Sequence, residues 1–508
     1  MDAPSKHRSN STLTRGGLLA RNTIWNLIGQ GAPLLVALFA IPVLIRGLGT
    51  ARFGVLTLAW MVVGYFSLFD LGLGRALTKL VAEKLGEGKE NEVPALVWTA
   101  LALMALLGVA GIAVAAGLCP WMVHGVLKIP AGLQTETLKT FYLLAVSIPI
   151  IISTAGLRGV LEAYQRFDLA NAVRVPLGMF TFLGPLAVLP FSNSLFPVVA
   201  ALVAGRLLAW GVHFLLCLRV GPALRYNMRV ERAMVRPLLS FGSWMTVSNI
   251  VGPLMVYFDR FLIGAMLSIT AVAYYATPYE VVTKLWLIPG ALVGVLFPAF
   301  STTLVEDRDH TARLFCRGVN YIFLALFPLA LMIVTLAHEG LNLWLGAEFA
   351  QKSALVLQWL AVGVFVNSLA QIPFALVQGA GRPDITAKLH LAELPFYFLA
   401  LWWLINVYGI KGVAIAWTAR VAVDTVALFA VARWLLPATA PAIGRMALTF
   451  GVALLSLGLG TLTAVLMMKV LFLAVVMIVF VPAAWLLILT DEERVFVRNR
   501  LKVIPIFN

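Results

Sequence analysis

The stretch VYFDRFLIGAML, residues 256–267, sets an aspartate and an arginine, Asp259 and Arg260, side by side within an apolar run. At the centre of a membrane-spanning helix each charge would cost roughly 2.5–3.5 kcal/mol. Whether that cost applies is decided by the rest of the chain. Of 508 residues, 61% are hydrophobic and 12% are charged, and the mean hydropathy is +0.94. Soluble domains carry about 25% charge. A soluble chain could not bury this much apolar surface, so the sequence reads as a multi-span integral membrane protein.

A helix needs about 20 apolar residues to cross the hydrocarbon core. Fourteen stretches meet that need: 22–46, 52–74, 94–117, 141–163, 168–190, 196–218, 242–265, 272–301, 315–337, 355–378, 390–408, 412–434, 443–467 and 470–490. The expected fold is therefore an all-α integral membrane protein of about fourteen transmembrane helices. The net charge of +15 does not point to nucleic acid. The basic residues sit in short loops on the N-terminal side, notably 75–92, 219–236 and 491–502. By the positive-inside rule both termini are expected in the cytoplasm. Residues 1–21 are polar and basic, unlike a cleaved signal peptide. Cys119, Cys217 and Cys316 follow no metal or disulfide spacing.

An offset of 220 lays GAPLLV (31–36) over VGPLMV (251–256). EAYQRFD (162–168) falls over QGAGRPD (378–384) at 216, and AGRLLAW (204–210) over TARVAVD (418–424) at 214. The expected organisation is a cytoplasmic segment 1–21, an N-lobe 22–218, a basic connector 219–241, a C-lobe 242–434, two added helices in 435–490 and a tail 491–508. Each lobe holds six spans, so the two copies share one orientation, with a site expected at their interface.

Ionisable residues inside spans are candidate functional groups. Arg158 with Glu162, Glu280 with Lys284, and Arg420 with Asp424 stand at i,i+4, on one helix face. Asp70, Arg75 and Glu393 lie near span ends. The repeat sets Arg206 over Arg420, and two guanidinium forks suit a phosphate. The alternative is neutralisation within the bundle, as Asp424 could do for Arg420. Asp259 and Arg260 project about 100° apart, so one is expected to face a cavity and the other a neighbouring helix. Asp259 is then either an H⁺- or Na⁺-coupling carboxylate or a structural partner of Lys284. Polar stripes at Asn22, Asn26 and Gln30, and at Gln358, Asn367, Gln371 and Gln378, line a wet path or bind helices together. No GxxxxGK[ST], HExxH or GxSxG motif occurs, and the scattered histidines, His390 among them, read as non-catalytic. A secondary transporter, not an enzyme, is the expected class.

YFDRFLIGAML (257–267), AYYA (273–276), LFPAFS (296–301) and QGAGRPD (378–384), in this order, resemble the Wzx-type polysaccharide flippases of the MOP superfamily. The resemblance covers nearly the whole chain. It implies two pseudo-symmetric six-helix lobes in a V, MATE-like, with two C-terminal helices. It also implies alternating access and a cationic cavity, to which Arg206, Arg420, Lys284, Arg260 and Arg158 are the candidate contributors. Asp259, Glu280, Asp424 and Asp70 are the candidates for H⁺ or Na⁺ coupling. The implied cargo is an undecaprenyl-pyrophosphate-linked oligosaccharide moved across the bacterial inner membrane, with other polysaccharide assembly proteins as partners and no cofactor or metal. A lipid II flippase, a multidrug cation exporter and a membrane glycosyltransferase or ligase remain alternatives. The short external loops disfavour the last.

Overall fold

The computed structural model describes residues 33–66, 72–164, 166–463, 465–489 and 493–495. Their contacts gather into two compact units, Met1–Ala276 and Thr277–Asn508. No strand occurs among the described residues.

The first unit opens with α1 (Pro33–Leu48) and α2 (Thr50–Phe66). They meet at Gly49, whose φ of +78° suits a residue without a Cβ. Next come α3 (Leu73–Gly86), α4 (Val93–Trp121), α5 (Ala131–Val146), α6 (Ile148–Ala163), α7 (Phe167–Val188), α8 (Leu195–Val220), the single turn α9 (Ala223–Tyr226), α10 (Arg232–Met266) and α11 (Ile269–Val282), within which the first unit ends at Ala276. Its core forms where α6 packs on α3, α4 and α8, around Leu77, Val97, Met104, Ile152 and Val160. The sequence places α10 with the C-terminal half, yet it packs on α2, α3 and α4.

Hydropathy starts the fourth span at residue 141, whereas helix begins at Ala131. The polar residues before 141 are helical because their polarity is answered. Glu136 accepts from Arg52 Nε at 3.2 Å and from Ser194 Oγ at 2.8 Å, and also from the Leu195 backbone N–H. One carboxylate thus ties α5 to the starts of α2 and α8. The break between α5 and α6 falls at Ser147, whose hydroxyl donates to Leu144 O at 2.7 Å. Pro149, lacking an N–H, follows at the start of α6.

The second unit continues through a 3₁₀ turn, Thr283–Trp286, into α12 (Leu287–Glu306). Then follow α13 (Arg308–Thr335), α14 (Ala337–Leu345), α15 (Ala347–Gly379), α16 (Pro383–Tyr408), α17 (Ile410–Leu435), α18 (Ala440–Leu462) and α19 (Leu466–Ala483). Helix α15 is its centre, packed by α12, α13, α14, α16 and α17. At Gly363 of α15 an added Cβ would lie 2.4 Å from the Trp417 ring, so the glycine lets α17 approach. The outer surface inverts the soluble pattern. Leu448, Leu462 and Met467 are each at least 75% exposed, as suits helices solvated by acyl chains.

Ten helical stretches among the described residues have the length and apolar composition to cross a bilayer. The expected count of fourteen is not reached on that criterion. Pro33–Leu48 is a shorter apolar helix, the 52–74 stretch runs into residues outside those described, the 242–265 stretch includes side chains outside those described, and the 272–301 stretch is broken at Thr283–Trp286.

One local construction occurs twice. Arg166 donates from Nε and Nη2 to Asp168 at 3.0 and 2.9 Å, and Arg382 does the same to Asp384 at 3.0 and 3.2 Å. The Arg166 backbone N–H reaches Leu161 O at 2.9 Å, and that of Arg382 reaches Val377 O at 3.1 Å. Each arginine caps the next helix, and each aspartate lies in its first turn, at the positive end of the dipole. These are the positions that the offset of 216 superimposes.

Candidate functional site

In the first unit, Asp259 and Arg260 are 0% and 1% exposed. They are expected to face different partners, but they bind each other. Asp259 Oδ1 accepts the Arg260 backbone N–H at 2.7 Å and Arg260 Nη1 at 3.1 Å. Asp259 Oδ2 accepts the Tyr275 hydroxyl at 2.6 Å. The long arginine stem curls back across the angular offset, and its guanidinium lies 5.4 and 5.9 Å from the centres of the Tyr257 and Tyr275 rings. Lys284, the alternative partner named for Asp259, instead lies 3.6 Å from Glu280. A charge pair closed by hydrogen bonds and two ring faces is a structural solution to the cost of burial.

Arg206 differs. It stands midway along α8, half-buried, and has no ion pair or side-chain hydrogen bond among the described residues. Arg158 pairs with Glu162 at 3.5 Å, as their spacing predicts, and both are substantially exposed. Asp70 lies outside the described residues, as do Asn22, Asn26 and Gln30.

In the second unit, α16 and α17 bring five polar side chains together. Arg420 Nη1 is 3.8 Å from Glu393 Oε2, and its guanidinium is 5.4 Å from the Tyr397 ring centre. His390 Nε2 is 3.6 Å from Asp424 Oδ1. The Glu393 and Asp424 carboxyls adjoin each other, and both residues are buried. Neither Glu393 oxygen, nor Oδ1 of Asp424, receives a hydrogen bond among the described residues. Asp424, named as the neutraliser of Arg420, thus also lies beside His390, and Glu393 approaches the arginine. His390 is the residue that sequence reasoning missed. It stands at i−3 from Glu393 and i−7 from Tyr397, a helical face that spacing alone displays. Its ring stacks on Phe374 at 6.2 Å.

Glu280, near the end of α11, and Lys284, within the 3₁₀ turn before α12, are about 40% exposed. Gln358, in the polar stripe of α15, donates to Val334 O at 2.9 Å and so binds α15 to α13. No group of three or more metal-ligating side chains occurs among the described residues.

The family described as "Polysaccharide biosynthesis protein" matches residues 19–304. A Shigella flexneri protein with the name "Putative O-antigen transporter" is 32% identical over 419 residues, 81% of this chain and 96% of that protein. Among solved structures, an inward-facing multidrug resistance MATE transporter of the MOP superfamily covers 82% of this chain, with 99% of its own chain aligned, at TM-score 0.68 and 14% identity. The lipid II flippase MurJ in an inward closed conformation covers 92% of this chain, with 99% of its own, at TM-score 0.67 and 12% identity. Those likenesses establish a shared fold. With more than half of its length matched, this multi-pass membrane chain belongs to the polysaccharide biosynthesis protein family.

Proposed function

We propose that this protein is a flippase that carries lipid-linked oligosaccharide from the cytoplasmic to the periplasmic leaflet of the bacterial inner membrane, with both termini in the cytoplasm. A pyrophosphate-linked glycan is too polar to enter hydrocarbon. A protein that moves it must offer fixed positive charge at membrane depth without cancelling that charge internally. Arg206 meets this requirement: it is half-buried in mid-span and lacks a partner among the described residues. That observation, in a chain so similar to an O-antigen transporter, carries the reading. Arg420 is a weaker phosphate ligand, because Glu393 already approaches it.

The adjoining Glu393 and Asp424 carboxyls are the proposed coupling group. Two carboxyls side by side bind a proton or a monovalent cation between them, and His390 and Arg420 adjust their charge. Asp259 is not assigned this role, because Arg260 and Tyr275 occupy its oxygens.

Transbilayer movement tests the reading. The protein is reconstituted in liposomes with a pyrophosphate-linked oligosaccharide lipid, and outer-leaflet glycan is read with a membrane-impermeant hydrolase. Protein-dependent exposure is expected, falling at least ~10-fold in Arg206→Ala, since losing one charge-assisted contact is worth roughly 1.5–3 kcal/mol. Exposure equal to that of empty liposomes, across several glycan lipids and ion gradients, sinks the proposal.

A further inference from the structure

The second unit contains a cavity of about 910 Å³, walled by α13, α17, α18 and the segment after α19, and lined by none of the five side chains of the α16–α17 cluster. Its wall follows α13 from Asp309 to Leu324, roughly 22 Å at a rise of ~1.5 Å per residue. The rim is basic: four arginines line the cavity, against two acids, Asp309 and Glu493. Glu493 is committed to Arg317 at 3.5 Å and to the Tyr321 hydroxyl. Arg433 and Arg445 have no ion pair or side-chain hydrogen bond among the described residues. The N-terminal end of α18 lies at the same rim and has no acidic residue in its first turn, so it adds its positive dipole end, whereas that of α13 is already capped by Asp307. Deeper in, the wall is apolar, with the Phe323, Phe429 and Phe450 rings.

We propose that this cavity binds an anionic phospholipid, its phosphate held by Arg433 and Arg445 and one acyl chain lying along Phe323, Phe429 and Phe450. A basic pocket between helices at headgroup depth is suited to a phosphate, and a guanidinium grips it through a planar fork. Few neutral polar groups line the wall for a glycan to use. The Thr425 hydroxyl donates to Val421 O, that of Thr449 to Arg445 O and that of Tyr321 to Glu493, which leaves the Asn320 amide. A glycan carries hydroxyls in far greater number, whereas a small phosphate head on an apolar chain needs only the two arginines. This site does not rest on the transport reading, and its test does not measure transport.

Cys316 lines the same cavity and serves as the reporter, while Cys119 and Cys217 are buried. The full chain is placed in nanodiscs of phosphatidylcholine alone or mixed with phosphatidylglycerol, and maleimide reaction at Cys316 is followed by mass spectrometry. Phosphatidylglycerol is expected to slow labelling about 10-fold, as at a site occupied ~90% of the time. The slowing should vanish in Arg433→Gln/Arg445→Gln and persist in large part in Arg433→Lys/Arg445→Lys. Equal rates in the two lipids, or slowing that survives the double glutamine variant, would overturn the site. So would protection by undecaprenyl phosphate but not by phosphatidylglycerol. If labelling at Cys119 or Cys217 shows that the glutamine variant has unfolded, native mass spectrometry of the wild type decides. Retained phosphatidylglycerol adducts in competition with phosphatidylcholine support the site, and their absence refutes it.

Discussion

Asp259 and Arg260 show how a membrane protein keeps adjacent charges where hydrocarbon would expel them. Asp259 accepts from Arg260, and Tyr275 closes the remaining carboxylate oxygen. Cutting such a pair in half should cost more than deleting it. Arg260→Met alone is expected to destabilise by roughly 3–5 kcal/mol, because it strands a buried carboxylate, whereas Asp259→Asn/Arg260→Met should recover much of that loss. Thermal unfolding of the two variants in detergent checks the order, and a double variant no more stable than Arg260→Met would refute the pairing. Arg206 should behave in the opposite way. Arg206→Ala should change the unfolding midpoint little, since no ion pair or side-chain hydrogen bond among the described residues is lost, even as transport falls. A large midpoint drop in Arg206→Ala would mean that the arginine braces the fold.

At the scale of elements, small residues set how near two helices come. Gly363 admits the Trp417 ring where a Cβ would sit 2.4 Å away. Gly363→Val is therefore expected to cost roughly 1–3 kcal/mol by overpacking. Adding Trp417→Leu should return part of that, as seen in detergent melting curves; no rescue would place the strain elsewhere. The sequence made the helices legible because apolar length alone defines a span. It did not make legible which charges meet. The i,i+4 rule found Arg158 with Glu162 and Glu280 with Lys284, whose partners share a helix. It paired Arg420 with Asp424 but did not show that His390 and Glu393 approach the two from a second helix. It also missed the helical residues before 141, because the Arg52 and Ser194 that satisfy Glu136 are far away in the chain.

For the whole molecule, composition fixes the solvent, and the solvent fixes how stability is earned. With acyl chains outside, apolar burial drives helix association little, and close packing and hydrogen bonds carry more of it. That is why α15 is the hub of its unit while α19 presents an almost wholly apolar exterior. Helix α10 contacts α2, α3 and α4, so a fragment 1–282 should purify as a more stable, more protease-resistant species than a fragment 1–230. Size-exclusion chromatography in detergent and tryptic digestion measure the difference, and equal behaviour would mean that α10 adds nothing to the first unit. The two Arg–Asp forks carry one consequence beyond stability. Each closes a corner with groups drawn from three consecutive residues and one carbonyl upstream. All of its instructions therefore travel within a few codons. Such a corner survives copying to a new place in a gene, and its neighbours can then diverge freely around it.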